Sequence, residues 1–315
     1  MINRKAFIVG IKSTSLSKKE ITFLKNHKPW GVILFSRNVK GFEQIKKLIK
    51  NIRFIFKDKN YPILIDQEGG RVNRLNKLIE ASIFTAEFFG NLYKKNKKKF
   101  FNYYKIYINQ ISYLLNEIGV NINTVPVLDV RREKSSNVIG DRSYSSLPKN
   151  VSKIGDVCIK EFKKRGIGTV IKHIPGHGLA KVDSHRLAPV VKKKMKYLYK
   201  NDFAPFKNKK TFFAMTAHVI YKDIDPINTA THSPKIIKLI RKEIGFKNII
   251  ISDDISMKGL KYSIKQNIQK ALSAGCNLIL HCNANYSEMR TVAENSPMID
   301  NFIIQKTSQF YKFLS

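Results

Sequence analysis

Eight short apolar segments recur along the chain, and each is followed by a stretch with helical character. Most are continuously apolar rather than alternating, which is typical of parallel strands covered on both faces. The predicted strands are Ala6–Ile11, Gly31–Phe35, Pro62–Asp66, Ile122–Asp129, Thr169–Pro175, Phe212–His218, Asn248–Asp254 and Asn277–Cys282. Eight strands that alternate with helices predict an α/β fold, a TIM-type (β/α)8 barrel, for which roughly 250 residues is typical.

Helix start and stop signals fall between these segments. Ser17 and Glu20 have the spacing of a capping box at the start of the first helix. The segment Ala86–Ile118 is long and rich in aromatic residues, and it is predicted to be helical with a break near Lys94–Lys99. Helical stretches are predicted to end at four glycines, namely Gly119, Gly166, Gly245 and Gly275.

The alternation of strands and helices does not show whether the sheet closes, so a doubly wound open sheet is the alternative. No G-x-G-x-x-G fingerprint follows the first strand, which disfavours a dinucleotide-binding fold. The 315 residues contain no internal repeat and no linker. A single catalytic barrel domain spanning residues 1–315 is therefore predicted.

The formal net charge is +35, from 58 Lys and Arg against 23 Asp and Glu. A charge of this size suggests a nucleic-acid-binding protein. The excess is mostly Lys rather than Arg, the residue that contacts bases and phosphates in bidentate fashion, and it is spread over most predicted helices. Lys also accompanies abundant Asn, Ile, Phe and Tyr, which AT-rich codons encode. We interpret the charge mainly as solvated basic faces produced by mutational bias, with attraction of polyanions as the alternative.

The features that bear on location favour the cytoplasm. The three cysteines, Cys158, Cys276 and Cys282, are too few for a disulfide framework and fit a reducing compartment. The apolar patch Ala6–Ile11 is short and is followed by Lys12 without a small-residue cleavage site, so no signal peptide is expected. No apolar run approaches the roughly 20 residues that cross a bilayer, so no membrane partner is predicted.

Polar residues are concentrated at the ends of the predicted strands. Because these ends meet at one face of a barrel, where barrel enzymes keep their active sites, the side chains are predicted to converge. Structural roles are the alternative: Asp66 and Asp129 as helix caps, His218 as a hydrogen-bonded core residue, and His281, on the last strand without polar company, as a structural residue. The strand-end segments are Asp66-Gln67-Glu68, Asp129, Pro175-Gly176-His177-Gly178, His218 and Ser252-Asp253-Asp254, and Lys172-His173 lies within the fifth strand just before its end.

Five motifs in a fixed order carry a family resemblance. They are Asp66-Gln67-Glu68-Gly69-Gly70-Arg71-Val72, Gly140-Asp141-Arg142-Ser143-Tyr144, Lys172-His173-Ile174-Pro175-Gly176-His177-Gly178, Asp183-Ser184-His185 and Ser252-Asp253-Asp254-Ile255-Ser256-Met257. Together they resemble the single-domain bacterial β-N-acetylglucosaminidases of glycoside hydrolase family 3 that act in peptidoglycan recycling. The resemblance implies a TIM-type barrel, release of terminal GlcNAc from GlcNAc-anhydroMurNAc fragments, and no cofactor or metal.

The resemblance also implies roles for individual residues. Asp253 would be the nucleophile that forms a covalent glycosyl-enzyme, although the sequence does not distinguish it physically from Asp254. His185 would be the general acid and then the general base, with Asp183 hydrogen-bonded to it. A histidine titrates near pH ~6.5 without further tuning, so it can serve both steps of retaining hydrolysis. The residues implied to bind the sugar are Asp66, Arg74, Arg142, Lys172 and His173.

Three other functions remain open from the residues alone. A metal-dependent hydrolase would use ligands among His173, His177, His185, His218, Asp183 and Asp253, but no His-Glu-x-x-His or paired-cysteine signature is present. A phosphorylase of the same family is a second alternative, because a histidine acid/base repels phosphate less than a glutamate would. A basic nucleic-acid-binding protein is the non-enzymatic alternative. The predicted partner is a muropeptide or amino-sugar substrate, with no obligate nucleic acid, and the predicted state is a monomer.

Overall fold

The protein is described by a computed structural model, which places residues 3–132, 137–180 and 188–315. The strands are β1 (Lys5–Gly10), β2 (Pro29–Leu34), β3 (Ile63–Ile65), β4 (Ile122–Asn123), β5 (Gly168–Ile174), β6 (Val190–Val191), β7 (Phe213–Thr216), β8 (Ile220–Tyr221), β9 (Ile249–Asp254) and β10 (Leu278–His281). Each of the eight predicted strands therefore overlaps one observed strand, although β1, β2 and β5 begin one or two residues earlier than predicted.

Eight parallel strands close into a barrel in the order β1-β2-β3-β4-β5-β7-β9-β10. The ring is completed by β10 pairing with β1, for example Phe7 with Ile279. This closure confirms the predicted (β/α)8 barrel and excludes the open doubly wound sheet. The pair β6 and β8 forms a separate two-stranded sheet that the sequence did not predict.

The helices are α1 (Lys18–His27), α2 (Phe42–Phe56), α3 (Ala86–Lys95), α4 (Lys97–Ile118), α5 (Pro148–Lys164), α6 (Met195–Lys200), α7 (Pro234–Lys242), α8 (Ile264–Ala274), α9 (Tyr286–Asn295) and α10 (Asn301–Leu314). The predicted break in the long helical segment is confirmed at Asn96, whose side chain accepts a hydrogen bond from the Lys99 amide. The capping box of Ser17 and Glu20 is likewise present. In the described residues no helix is both long and apolar enough to span a membrane.

The strand predicted over Ile122–Asp129 is regular for only two residues. Pro126 has no amide hydrogen to donate to a ladder, so the chain leaves the regular pairing there. It stays beside β5, because the Leu128 amide donates to the carbonyl of Lys172. This irregular path brings Asp129 to the mouth of the barrel.

The apolar core has two layers. Ala6 and Ile8 of β1 belong to the cluster inside the barrel, whereas Phe7 and Val9 belong to the larger cluster between strands and helices. The alternation is the period of two expected for a strand. A sheet covered on both faces in this way places most of its charged groups towards the ends of its strands.

Helix α10 closes the amino-terminal end of the barrel. Its Phe310 packs against Phe213, with ring centroids 5.2 Å apart, and Thr307 accepts a hydrogen bond of 2.9 Å from the Trp30 indole. Gly168 admits this ring, since a Cβ there would lie 2.6 Å from the Phe310 side chain. The opposite, carboxyl-terminal end is therefore the one that holds the polar residues.

Candidate active site

A cavity of about 250 Å³ lies at the carboxyl-terminal end of the barrel. Six of the predicted site residues line it: Asp66, Arg74, Arg142, Lys172, His173 and Asp253. The other lining residues are Glu68, Arg71, Val72, Val138, Met215, Leu280 and Cys282. Strand ends far apart in sequence thus meet around one cavity, whose wall is mostly charged but includes the apolar side chains of Met215 and Leu280.

Lys172 is the buried cation at the centre of the cavity wall. Its Nζ lies 2.8 Å from Asp66 Oδ1 and 2.7 Å from Glu68 Oε1. Asp66 also accepts a hydrogen bond from the Thr124 hydroxyl, and Arg74 Nη2 lies 3.6 Å from its second oxygen. Burial alone would raise the pKa of Asp66, but Lys172 and Arg74 outweigh it and hold the pKa well below its usual value. Asp66 is therefore a fixed anionic acceptor.

Glu68 joins Lys172 to Arg142. The guanidinium of Arg142 donates two hydrogen bonds of 2.8 Å to the Glu68 carboxylate, from Nε and from Nη2. Burial opposes ionisation of Glu68, yet Arg142 and Lys172 lower its pKa to about 2. The strand-end pattern predicted that Glu68 lies at this face of the barrel, but the family resemblance gave it no role.

A buried carboxylate orients His173. Asp129 Oδ2 lies 2.7 Å from His173 Nδ1, and Asp129 Oδ1 accepts a hydrogen bond of 2.6 Å from the His177 amide. The contact at Nδ1 leaves Nε2 of His173 as the ring nitrogen available to a ligand. Asp129 therefore positions groups of the site rather than capping a helix. Asp66 does not cap a helix either, because its carboxylate contacts Lys172 and Arg74.

His177 lies behind His173, with the two ring centroids 5.6 Å apart. Burial, together with the nearby His173, lowers the pKa of His177 to about 4. Its ring is therefore uncharged near neutral pH.

The two neighbouring aspartates of β9 differ in their contacts. Asp254 Oδ1 accepts hydrogen bonds from the Ser256 amide (3.1 Å), the Ser256 hydroxyl (2.8 Å) and the Cys282 amide (3.2 Å). Both side chains are half-buried, and Asp253 Oδ1 accepts a hydrogen bond of 2.8 Å from the Asp254 amide, but only Asp253 lines the cavity. The sequence could not separate these residues, but their geometry does.

Two further histidines have structural contacts. His218 is fully buried between the Thr231 hydroxyl and the Asp254 carbonyl oxygen, which confirms the prediction of a hydrogen-bonded core residue. His281 is also buried, but the prediction that it has no polar contact is wrong. Its Nε2 lies 2.9 Å from Glu288, which reaches it from the following helix.

Asp183 and His185 lie outside the described residues, so their acid/base roles stay predictions. Within residues 3–132, 137–180 and 188–315, no group of three or more His, Cys, Asp or Glu side chains could hold a metal ion. The described part of the cavity offers the Asp253 carboxylate, the cation of Lys172 and the oriented imidazole of His173. A closed parallel barrel with a polar pocket at its carboxyl-terminal end is the arrangement of the barrel enzymes, which keep their active sites at that end.

Comparisons with known proteins identify the family. A family model described as the glycosyl hydrolase family 3 N terminal domain matches residues 5–307. A beta-hexosaminidase of Idiomarina loihiensis is 30% identical over 312 residues, covering 96% of this chain and 91% of that protein. A beta-hexosaminidase of Haemophilus ducreyi is 33% identical over 287 residues, covering 88% and 80%.

A solved structure agrees with these relatives. NagZ from Neisseria gonorrhoeae, crystallised in complex with N-trifluoroacetyl-D-glucosamine, superposes with a TM-score of 0.88 at 27% identity, covering 100% of this chain and 91% of that one. The chain belongs to glycosyl hydrolase family 3 and is a glycoside hydrolase.

Proposed function

We propose that the chain is a retaining exo-β-N-acetylglucosaminidase with Asp253 as its nucleophile. Its substrates would be peptidoglycan-derived GlcNAc-anhydroMurNAc fragments, hydrolysed in the cytoplasm by a monomer. The observation that carries the proposal is the difference between the two aspartates of β9: Asp253 lines the cavity, whereas Asp254 accepts hydrogen bonds from the Ser256 and Cys282 amides. The names of the relatives, beta-hexosaminidase and NagZ, support the substrate class.

In the first chemical step, an Asp253 oxygen forms a bond to the anomeric carbon while the glycosidic C–O bond breaks. His185 donates a proton to the departing oxygen, so the leaving group is a neutral alcohol. In the second step, His185 removes a proton from water, which attacks the same carbon and releases the sugar and the Asp253 carboxylate. Two displacements give net retention of configuration.

The paired charges of the wall would position the sugar. Asp66 offers anionic acceptor oxygens to hydroxyl groups, and Lys172, Arg74 and Arg142 offer donors. Because these groups already contact one another, little reorganisation is needed when substrate binds. The imidazole of His173, oriented by Asp129, would contact the hydroxyls or the N-acetyl group.

The shape of the cavity supports exo action on a terminal unit. Its volume of about 250 Å³ lies below the roughly 300–1,000 Å³ of pockets for drug-sized ligands. Met215 and Leu280 supply an apolar portion, and the barrel interior beyond is filled by side chains. A single sugar ring at the end of a chain is the ligand we expect there.

Matched substitutions on β9 test the assignment. Asp253→Asn should lower the kcat for a chromogenic GlcNAc β-glycoside by roughly 10⁴-fold or more, because an amide oxygen is a poor nucleophile at the anomeric carbon. Asp254→Asn is the control, since its side-chain oxygen can still accept from Ser256 and Cys282. It should retain activity within about tenfold.

Equal activity of wild-type protein and Asp253→Asn would refute the nucleophile. Loss confined to Asp254→Asn would transfer the role to its neighbour. A substrate series with GlcNAc, glucose and galactose as the glycone tests the specificity separately, because only the GlcNAc glycoside should be turned over efficiently.

A further inference from the structure

The outer surface of α3 and α4 is unusually apolar for a solvent-facing part of the barrel. Among the described residues, fourteen large hydrophobic side chains are exposed, and five of them belong to these two helices. No other helix in the described ranges carries more than one. The five are Phe88, Phe101, Tyr103, Ile106 and Tyr113. We call the outward side of α3 and α4, residues 88–113, the α3–α4 surface.

Three of the five residues form a stripe on α4. Tyr103, Ile106 and Tyr113 are separated by three and seven positions, so they share one face of the helix. Ile106 is 56% exposed and Tyr113 is 67% exposed. The face that packs against the barrel is a different one, which includes Ile108 and Ile111. The exposed stripe is therefore not part of the core.

The same surface carries positive charge without acidic residues. No Asp or Glu occurs between Glu87 and Glu117, and no Arg occurs there either. Six lysines lie in this interval and all are exposed, namely Lys94, Lys95, Lys97, Lys98, Lys99 and Lys105. This combination is more specific than the overall charge of +35, because it places cations beside exposed apolar side chains.

We propose that the α3–α4 surface adsorbs to an anionic phospholipid membrane. Lysines near an anionic bilayer each strengthen binding by about fivefold. Exposed Tyr and Phe side chains favour the interface between head groups and acyl chains, and Ile106 can enter its apolar edge.

Nucleic acid fits this surface less well. Residues 88–113 include no Arg, the residue that recognises phosphates and bases, and the neighbouring Arg165 already donates a hydrogen bond of 2.8 Å to Asn109. An aliphatic side chain in the middle of the stripe also cannot stack on a base. The proposal departs from the sequence-based expectation of no membrane partner, which rested on the lack of a spanning segment. Peripheral adsorption needs no such segment.

Cosedimentation of the full chain with vesicles tests the proposal. Vesicles of phosphatidylcholine alone are compared with vesicles that also contain phosphatidylglycerol, in salt of about 0.01 M and about 0.15 M. We expect binding only to the anionic vesicles, and weaker binding at the higher salt. Replacing Lys97, Lys98 and Lys99 together by Gln should weaken binding by roughly 100-fold.

The matched control removes the same charge elsewhere. Lys192, Lys193 and Lys196 are exposed lysines outside the α3–α4 surface, and their joint replacement by Gln should weaken binding by less than about tenfold. Ile106→Ser combined with Tyr113→Ser tests the apolar stripe and should also reduce binding. None of these residues lines the cavity or belongs to the buried core, so an unchanged circular-dichroism spectrum and thermal unfolding midpoint are expected and report correct folding of every variant.

Three outcomes would overturn the proposal. One is the absence of binding to anionic vesicles at either salt concentration. Another is equal weakening by the two lysine triples, which would show that only net charge matters. The third is preferential capture of single-stranded RNA, with vesicle binding abolished by RNA in competition. The proposal does not depend on the proposed glycosidase activity, so failure of one leaves the other standing.

Discussion

Single side chains at the mouth of the barrel are fixed by partners from distant parts of the sequence. The strand-end pattern was sufficient to predict that Asp66, Lys172 and Asp253 line one cavity. It could not distinguish Asp253 from Asp254, because one of the hydrogen bonds that hold Asp254 comes from the amide of Cys282 on another strand end. The proposed roles of these residues remain predictions, and so do those of Asp183 and His185.

Glu68 is a positioning residue with a testable effect. Glu68→Gln keeps the shape of the side chain but removes the charge that pairs with Arg142 and Lys172. Since misplacement by about 1 Å can cost roughly 10²-fold, kcat/KM for a chromogenic GlcNAc β-glycoside should fall by about that factor. Glu68→Asp should recover part of the loss. An unchanged kcat/KM in Glu68→Gln would show that the pairing does not position the cations.

Asp202 is another buried carboxylate, close enough to Asp129 for the two charges to interact. It is 1% exposed, and Arg132 Nη2 lies 3.5 Å from one of its oxygens. Among the described residues its other oxygen has no hydrogen-bond partner. Burial raises the pKa of Asp202 to about 7, and Asp129 adds to this effect while Arg132 opposes it.

This raised pKa predicts a pH-dependent stability. Between the usual Asp pKa near 3.8 and about 7, the unfolded chain has lost the Asp202 proton and the folded chain keeps it. The free energy of unfolding therefore falls as pH rises through this window. Asp202→Asn removes the contribution, so its stability relative to wild type should increase from pH ~4 to ~8 in urea unfolding. A difference that is constant with pH would contradict the assignment.

Helices and strands were predicted correctly where a short stretch of sequence determines them. Continuous apolar runs gave the eight barrel strands, and the break between α3 and α4 followed from a polar, Lys-rich interruption capped by Asn96. The irregular path after β4 was not predicted, because an apolar run does not reveal how Pro126 ends the regular pairing. The position of α10 could not be predicted either, since its Thr307 contacts Trp30 across 277 residues of sequence.

The closure of the barrel by α10 predicts a stability effect without a catalytic one. Phe310→Ala removes a fully buried ring and should lower the free energy of unfolding by about 3–5 kcal/mol. The kcat of the folded variant should stay unchanged, because the cavity lies at the other end of the barrel. Phe54→Ala is the control: its side chain is 82% exposed, so a change within about 0.5 kcal/mol is expected. Similar small effects of both variants would show that α10 does not plug the barrel.

At the scale of the whole molecule, the barrel has a chemical polarity. One end is sealed by apolar side chains from α10, and the other gathers carboxylates, cations and imidazoles around a cavity. Composition gave no indication of this arrangement, since a net charge of +35 describes the surface rather than the site. The polar residues at the strand ends did predict this arrangement, because the carboxyl ends of parallel strands in a closed barrel all lie at one end of it.

The most direct test of the account is the identity of the residue that carries the sugar during turnover. The wild-type protein is incubated with a 5-fluoro derivative of GlcNAc bearing an activated leaving group, which slows release of a glycosyl-enzyme, and is then digested and mapped by mass spectrometry. The account predicts one glycosyl adduct, on Asp253. An adduct on Asp254, or continued hydrolysis of the reagent with inversion and no adduct, would contradict it.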